Sequence, residues 1–204
     1  MVDASDLRAR LVEELIASGC VRSPAVEAAF RAVPRHLFVP GVDPTEVYAD
    51  RSIQTKRAPN GRGISSSSQP SIMAIMLEQL GLAPGMRVLE IGAGTGYNAA
   101  LLAHLVGEQG HVTTVDIDQD TVEGARRGLA GAGFDRVRVA RGDGALGWPD
   151  GAPYDARPVD RRLFDPGAAL KPFEGRFDWK GLAASPVMDD PDDMRRDLPR
   201  AAAR

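Results

Sequence analysis

The sequence predicts an α/β protein built on a parallel sheet, and three consecutive segments support this fold class. Val88, Leu89 and Ile91 indicate a short buried strand, and a glycine-rich loop and an apolar helical face follow it. Two further strand-like runs, "HVTTVDID" and "RVRVARGDG", lie on either side of a helical stretch at 119–130. Strands that alternate with helices in this way indicate βαβ units, whose parallel strands end at one edge of the sheet.

The composition narrows the classes of function. The chain has 204 residues, of which 43% are hydrophobic and 26% are charged, as is typical of a globular domain with its own core. Because the net charge is −3 and no basic cluster stands out, we expect no nucleic-acid partner. No apolar run approaches the roughly 18 residues that span a bilayer, and the N-terminus lacks the layout of a signal peptide. Cys20 is the only cysteine, so we expect no internal disulfide, no metal site and a cytoplasmic location.

Helices are expected ahead of the sheet. Residues 5–18 carry leucines at helical spacing, with Ser5 as a candidate N-cap and Gly19 as a candidate end. A second, shorter helix is expected after Ser23, because a proline follows this capping residue. Further on, the pattern predicts a loop that contains a short strand at 52–56.

Four serines then precede another apolar segment, in the stretch "ISSSSQPSIMAIMLEQL". Pro70 suits the first turn of a helix, because the amide that it lacks would be unpaired there. We therefore expect Ser65 to Ser68 to form a loop in front of a helix N-terminus, where hydroxyls and amides can meet an anion or a polar ligand. A solvated loop with an ordinary cap explains the same residues equally well, so both interpretations stay open at this point.

The glycine loop after the first strand favours a methyl donor over a dinucleotide. Its glycines are Gly92, Gly94 and Gly96, a spacing that differs from the G-x-G-x-x-G of dinucleotide-binding proteins. Glu90 would repel a pyrophosphate, but it suits the positively charged amino-acid part of S-adenosylmethionine. Asp116 ends the second strand, where an acid can accept hydrogen bonds from a ribose, and Asp143 ends the third. A dinucleotide-binding oxidoreductase remains the less favoured alternative.

Six segments resemble the protein-L-isoaspartate O-methyltransferase family over residues 5–155. They are "VPRHLFVP", "YAD", "SSQPSIMAIMLEQL", "RVLEIGAGTGYNAALLA", "VTTVDID" and "GDGALGWPDGAPYD". The resemblance implies a Rossmann-like class I methyltransferase fold with a seven-stranded sheet and helices on both faces. It also implies transfer of a methyl group from S-adenosylmethionine to the free carboxylate of an isoaspartyl residue in a protein or peptide.

The resemblance assigns roles to individual residues. Ser68 takes the place of the serine in the family's Thr-Ile-Ser-Gln-Pro segment, which lies at the active site. Ser66 and Ser67 replace the usual threonine and isoleucine, a departure that is similar to actinobacterial-type relatives that methylate an aspartate in ribosomally made peptides. The implied donor-binding residues are Glu90, Gly92, Gly94, Gly96, Asp116, Ile117, Gly142, Asp143 and Gly144.

The expected reaction does not require a general base from the protein. A carboxylate with a pKa near 4 is already ionised at neutral pH, so no general base is required for its attack on a sulfonium methyl group. Holding the oxygen, the methyl carbon and the sulfur in line can then supply most of the rate enhancement. A serine without a histidine partner is sufficient, because its hydroxyl only has to aim the carboxylate.

The resemblance predicts three regions and stops at Asp155. Residues 1–70 are expected to form a lip over the substrate, and residues 71–155 the donor-binding core. Residues 156–204 are charged and rich in proline, and they lack an apolar run that could be a central strand. We therefore expect the folded unit to end near Asp155, with the strand at 88–91 exposed along one edge. A truncated, inactive relative that still binds the donor is the alternative function.

Overall fold

The structure is a computed structural model that describes residues 3–57, 59–61 and 63–156. Of the expected tail at 156–204, only Ala156 is described, so the prediction that the tail forms at most short helices lies outside the described residues.

A three-stranded parallel sheet forms the centre of the described chain, in the order β3-β4-β5. Its strands are β3 (Arg87–Ile91), β4 (His111–Asp116) and β5 (Arg138–Arg141). Two helices connect them, α5 (Tyr97–Val106) and α6 (Gln119–Gly131). The predicted fold class is confirmed, since each predicted strand and the helical stretch at 119–130 lie where the pattern put them.

Helix α5 is the most deeply buried element of the core. Six of its ten residues are alanine or leucine, and eight of the ten are buried. The sheet packs on one side of α5 and the N-terminal helices pack on the other, so both sides of this helix need apolar residues. Small alanines let the neighbouring elements approach closely, which makes α5 the contact between the two halves of the described chain.

Five short helical elements form the layer that precedes the sheet. They are α1 (Ala4–Ala17), α2 (Pro24–Ala32), a 3₁₀ turn (Arg35–Phe38), α3 (Pro44–Val47) and α4 (Pro70–Leu80). The predicted helices at 5–18 and after Ser23 are therefore confirmed. The Ser23 hydroxyl accepts a hydrogen bond from the amide of Val26 at 3.3 Å, as an N-cap should.

The start of α1 differs from the prediction that Ser5 is its N-cap. Asp3 caps this helix, and its carboxylate accepts hydrogen bonds from the Ser5 amide at 3.1 Å and the Ser5 hydroxyl at 2.7 Å. The helix begins at Ala4, so Ser5 lies inside the first turn and can only donate to the cap. Gly19 follows the other end of the helix with φ 73°, as its predicted role at the helix end requires.

The serine run forms a strand, so the prediction of a loop is wrong for Ser65 to Ser67. A hairpin pairs β1 (Ile53–Arg57) with β2 (Gly63–Ser67) in antiparallel register, and Ile53 lies opposite Ser67. Backbone pairing with the predicted strand at 52–56 extends the serines, although serine itself has little preference for strands. Ser68 and Gln69 alone separate β2 from helix α4, which starts at Pro70 as predicted.

The expected exposed edge at β3 is wrong where the structure describes its neighbour. The amide of Asp155 donates to the carbonyl oxygen of Arg87 at 2.8 Å, and the amide of Leu89 donates to the carbonyl oxygen of Ala156 at 3.2 Å. Val88 and Ala156 form a parallel bridge, and Val88 is completely buried. Strand pairing on this side of β3 therefore begins at Asp155, the residue at which we expected the folded unit to end.

Two glycines of α6 provide a test of how the N-terminal layer packs on this helix. An added Cβ at Gly128 would lie 3.0 Å from the ring of Phe38 and 3.2 Å from the carbonyl oxygen of Thr95, whereas one at Gly124 meets nothing within 4 Å. Gly124→Ala should raise the free energy of unfolding by about 0.5–1 kcal/mol through helix propensity. Gly128→Ala should lower it, because the buried ring and the backbone carbonyl have to move. Urea unfolding of both variants measures this, and a gain in stability for Gly128→Ala would contradict the packing.

Candidate active site

The carboxyl ends of the three parallel strands meet at one edge of the sheet. The ladder continues one residue past β3, since the amide of Gly92 donates to the carbonyl oxygen of Val115 at 2.8 Å. It continues past β5 in the same way, with the amide of Gly142 donating to the carbonyl oxygen of Asp116 at 2.9 Å. The glycine loop after β3, the acid at the end of β4 and the turn after β5 are therefore neighbours, as predicted.

The glycine loop turns with three residues in the left-handed region, at φ 92° for Gly92, 51° for Gly94 and 86° for Gly96. Residues that carry a side chain rarely adopt a positive φ, so glycine is required at these three positions. Gly94 lies between two other parts of the site. Its amide is 3.4 Å from a carboxylate oxygen of Asp116, and a Cβ on it would lie 3.6 Å from the carbonyl oxygen of Ser66 in the hairpin.

Glu90 is a buried carboxylate whose hydrogen bonding is incomplete. Oε1 accepts a hydrogen bond from the side-chain amide of Asn98 at 2.7 Å. Thr114 is opposite Glu90 in the register of β3 and β4, but its hydroxyl and Glu90 Oε2 do not meet hydrogen-bond geometry with each other or with any other described residue. Burial raises the pKa of Glu90 from its usual 4.5 to about 7, although the nearby Thr114 hydroxyl and the Asn98 amide act to lower the pKa. A buried acceptor without a partner fits a ligand that brings a cationic donor.

Asp116 and Ile117 follow each other at the end of β4 but present different surfaces. The carboxylate of Asp116 accepts from the amide of Asp118 at 3.1 Å as well as from the glycine loop. Ile117 is 45% exposed. A carboxylate and an apolar side chain therefore lie side by side at this edge of the sheet.

The turn after β5 is shaped by packing that the sequence analysis missed. A Cβ on Gly142 would lie 3.1 Å from the ring of Trp148, and one on Gly144 would lie 2.1 Å from Cγ2 of Ile91. Both glycines are thus explained by close contacts with neighbouring side chains. Asp143 stands between them, and its carbonyl oxygen accepts from the amide of Leu146 at 3.0 Å.

Ser68 has an exposed side chain on a firmly held backbone. Its carbonyl oxygen accepts a hydrogen bond from the guanidinium of Arg35 at 3.0 Å. On its other side, Asp50 accepts from the side-chain amide of Gln69 at 3.1 Å and from the backbone amide of Ser71 at 2.8 Å. The sequence analysis missed Arg35, and its one signal was an arginine inside the otherwise mostly apolar segment "VPRHLFVP".

A lysine ties the hairpin to the start of α6. Lys56 Nζ lies 2.7 Å from Oδ1 of Asp118, the N-cap of α6, and 3.0 Å from Oδ2 of Asp120. The hydrogen bond from Lys56 lowers the pKa of Asp118 to about 2. A cavity of about 560 Å³ lies between the hairpin, the segment 37–42 and α6. The hairpin is therefore fixed across the edge of the sheet on which the glycine loop lies.

Comparison with known proteins identifies the family. The family model for protein-L-isoaspartate(D-aspartate) O-methyltransferase matches residues 6–160. The chain belongs to this family.

Relatives and solved structures agree with the family model. A protein-L-isoaspartate O-methyltransferase of Methanothermobacter thermautotrophicus is 42% identical over 73% of this chain and 66% of its own length. One of Rhodopseudomonas palustris is 46% identical over 73% of this chain and 57% of its own length. A solved protein-L-isoaspartate O-methyltransferase is 39% identical, with a TM-score of 0.67 over 74% of this chain and 46% of its own. The chain thus spans about 60% of the length of the curated relatives that it matches.

A more distant structure bears on the fold alone. It is a putative protein-L-isoaspartate O-methyltransferase of Plasmodium falciparum, solved in complex with S-adenosyl-L-homocysteine, and it is 18% identical with a TM-score of 0.54.

Membership of the family confirms the resemblance seen in the sequence and argues against the dinucleotide-binding oxidoreductase. The narrower likeness to peptide-tailoring relatives stays a prediction.

Two properties of the described residues concern membranes and metals. No helix among residues 3–57, 59–61 and 63–156 combines the length and the apolar character that crossing a bilayer requires. In the same part of the chain, no cluster of three or more histidine, cysteine, aspartate or glutamate side chains is arranged to hold a metal ion.

Glu90 should make the ligand-free protein less stable as the pH rises. Its folded pKa of about 7 is above its usual 4.5, so the folded state binds more protons between these values and the free energy of unfolding falls as the pH rises through this window. Glu90→Gln should remove this fall and be more stable above pH 7, by at most about 3 kcal/mol. Denaturant unfolding at pH 5 and pH 8 measures the effect, with the exposed Glu123→Gln as control. An unchanged pH dependence in Glu90→Gln would contradict the burial of a titrating Glu90.

Proposed function

We propose that this chain catalyses S-adenosylmethionine-dependent O-methylation of an isoaspartyl carboxylate in a protein or peptide. One observation carries the proposal. The end of the hairpin that leads into Ser68 lies against the glycine loop, since the carbonyl oxygen of Ser66 is 3.6 Å from the position of a Cβ on Gly94. The serine that the family places at its active site is therefore next to the loop that would hold the methyl donor.

The residues at the sheet edge fit the donor. Glu90 Oε2 is a buried acceptor without a partner among the described residues, as a site for an ammonium group would be. Asp116 offers carboxylate oxygens to a ribose, and Ile117 offers an exposed apolar face to an adenine. The full set proposed to hold the donor is Glu90, Gly92, Gly94, Gly96, Asp116, Ile117, Gly142, Asp143 and Gly144. When bound, S-adenosylmethionine supplies a methyl group on a positively charged sulfur.

The protein's own contribution would be orientation. The substrate carboxylate is ionised at neutral pH and carries the attacking lone pair, so no side chain has to remove a proton. The Ser68 hydroxyl can donate a hydrogen bond to one carboxylate oxygen and direct the other. Because the backbone of Ser68 is held on both sides, its hydroxyl has a restricted range of orientations. Reacting groups that are oriented before the reaction lose less entropy on reaching the transition state.

The region before α4 would form the substrate side of the cleft. We propose that residues 1–70 supply the lip that contacts the peptide around the isoaspartyl residue and that residues 71–155 hold the donor. Lys56 fixes the hairpin to α6 and would keep this lip in place. The proposed partner is a protein or peptide with an isoaspartyl residue, without nucleic acid or membrane, and the proposed location is the cytoplasm.

The direct experiment is methyl transfer by the full chain. Radiolabelled S-adenosylmethionine is incubated with a peptide that contains isoaspartate and with the same peptide that contains aspartate. Transfer to the isoaspartyl peptide alone is expected. Transfer to neither peptide, combined with tight binding of S-adenosylhomocysteine, would instead support the inactive relative that binds the donor, and transfer to the aspartyl peptide alone would favour the peptide-tailoring interpretation.

Asp116 should matter for donor affinity. Asp116→Asn keeps the size of the side chain but removes its charge and exchanges one acceptor for a donor. A lost hydrogen bond to a desolvated polar group costs about 1–3 kcal/mol, so S-adenosylhomocysteine should bind about tenfold more weakly. Calorimetric titration measures the affinity, and Asp135→Asn, a substitution at an exposed residue before β5, is the control. Equal affinity in a folded Asp116→Asn protein would remove Asp116 from the donor site.

Substitution of Ser68 should lower the rate of methyl transfer and leave the affinity for the donor unchanged. Ser68→Ala should lower kcat/KM for the isoaspartyl peptide by about tenfold or more, because one oriented hydrogen bond to a charged group contributes about 1.5–3 kcal/mol. The affinity for S-adenosylhomocysteine should stay within twofold of the unmodified protein. Ser65→Ala is the matched control, since Ser65 bonds only to Thr55 across the hairpin among its described side-chain partners, at 3.2 Å. Equal losses in both variants would mean that the serines act only through the shape of the hairpin.

A further inference from the structure

The guanidinium of Arg35 is completely buried beneath the serine that the proposed function uses. Its two terminal nitrogens donate to four acceptors, all formally neutral, and the two N–H groups of Nη2 are shared among three of these acceptors. The acceptors are the carbonyl oxygens of Val47 at 3.0 Å, Arg51 at 3.3 Å and Ser68 at 3.0 Å, and the hydroxyl of Ser67 at 3.4 Å. This one side chain therefore joins the end of α3, a residue two positions before β1, and the end of β2 with the residue after it.

Burying this charge is costly. A desolvated guanidinium loses its hydration, and burial lowers the pKa of Arg35 while the nearby Asp50 and two tyrosines act against that shift. The face of Tyr97 gives partial compensation, with the guanidinium carbon 5.8 Å from the ring centroid. Arg35 Nε has no hydrogen-bond partner in the part of the chain that the structure describes. Apolar packing would fill the space at lower cost, so the position of this charge calls for a functional reason.

The hydrogen bond from Arg35 to the carbonyl oxygen of Ser68 indicates what this function is. The peptide between Ser68 and Gln69 is trans, so its N–H points away from the carbonyl oxygen that Arg35 holds. A cation on the carbonyl side polarises the peptide and makes this N–H a stronger donor on the opposite side. Asp50 holds the Gln69 side chain and the Ser71 amide, so the two anchors enclose the residue whose hydroxyl is exposed.

We propose that Arg35 is a positioning residue that fixes the Ser67–Ser68 backbone and turns the Ser68 hydroxyl and the polarised Gln69 N–H toward the carboxylate of the substrate. This inference rests on the proposed methyl transfer, because it names the group that prepares the same serine. It assigns the recognition of an anionic acceptor to a charge that never touches it. Arg35 acts through the peptide it holds and is not itself a catalytic residue.

The test compares three variants of the full chain. Arg35→Met removes the charge and all four hydrogen bonds but keeps an unbranched side chain. Arg35→Lys keeps the charge with a shorter reach, and Arg31→Met is the control, since Arg31 pairs with Glu13 and Glu27 on the helices away from the sheet edge. For Arg35→Met we expect kcat for the isoaspartyl peptide to fall at least tenfold and the peptide KM to rise. For Arg35→Lys we expect the peptide KM to recover while kcat stays low.

The affinity for the donor distinguishes a loss of Ser68 positioning from a general loss of structure in the Arg35 variants. S-adenosylhomocysteine should bind both Arg35 variants within threefold of the unmodified protein, because Glu90 and the glycine loop are untouched. A loss of donor affinity in parallel with transfer, or kcat and peptide KM unchanged in folded Arg35→Met, would overturn the inference. If Arg35→Met does not fold, the split between KM and kcat in Arg35→Lys decides alone.

Hydrogen exchange supplies a measurement that needs no substrate. Arg35→Lys and Arg35→Met should speed amide exchange in the segment 63–72 and leave α5 unchanged. If the unmodified chain transfers no methyl group but this exchange depends on Arg35, the proposed function fails and the positioning of Ser68 stands. Unchanged exchange in 63–72 would overturn the positioning even in an active methyltransferase.

Discussion

One buried cation links several segments of the N-terminal half of this protein. The guanidinium of Arg35 is the shared hydrogen-bond donor for segments that are far apart in sequence, from Val47 to Ser68, and some of their side chains, such as Val47 and Ile53, also pack in the apolar core. If Arg35 were absent, several buried oxygens would lose a donor, and each unsatisfied group of this kind costs about 1–3 kcal/mol. The hairpin, the start of α4 and the turn after α3 therefore form one unit, and Tyr97 at the start of α5 attaches this unit to the sheet.

Glu90, near the carboxyl end of β3, is a second buried ionisable side chain, and Asn98 donates a hydrogen bond to it at 2.7 Å. When ionised, Glu90 carries the opposite sign to Arg35, and the hydrogen-bond partners of both side chains are neutral. In the proposed reaction, a cationic donor belongs beside Glu90 and an anionic acceptor belongs on the side of Arg35. The proposed transfer would neutralise both the sulfonium of the donor and the carboxylate of the acceptor.

The sheet and its glycine loop could be predicted from the sequence because their signals are local. Val88, Leu89 and Ile91 are apolar, and the positive φ angles at Gly92, Gly94 and Gly96 require glycine, so each segment has a local pattern that predicts its structure. The serine strand could not be predicted in this way. Ser65 to Ser67 are extended because Ile53 to Lys56 offer backbone partners, and strand pairing with a distant segment outweighs a weak local preference.

The donor-site residues illustrate a second limit. Gly142 and Gly144 stood out as part of a motif, but the contacts with Trp148 and Ile91 give each a packing reason that only three-dimensional proximity shows. Arg35 escaped notice for the opposite reason, since a charged residue is expected at the surface. A charged residue inside an apolar segment is the sequence feature that both Glu90 and Arg35 share. Glu90 was recognised from its motif, and the same feature would also have indicated Arg35.

The pairing at Asp155 shows why the boundary of the folded unit could not be derived from apolar patterns. Residues 155 and 156 join β3 through backbone amides and carbonyls, which every residue except proline supplies, so composition gives no signal. Arg87 reinforces the join, with guanidinium hydrogen bonds to the carbonyl oxygens of Gly151 at 2.7 Å and Pro153 at 3.1 Å. The segment after β5 is thus held against the start of β3 by polar groups. These contacts explain how the motif "WPDGAPYD" contributes to the sheet without supplying an apolar strand of its own, since its role is to bring the chain alongside Val88.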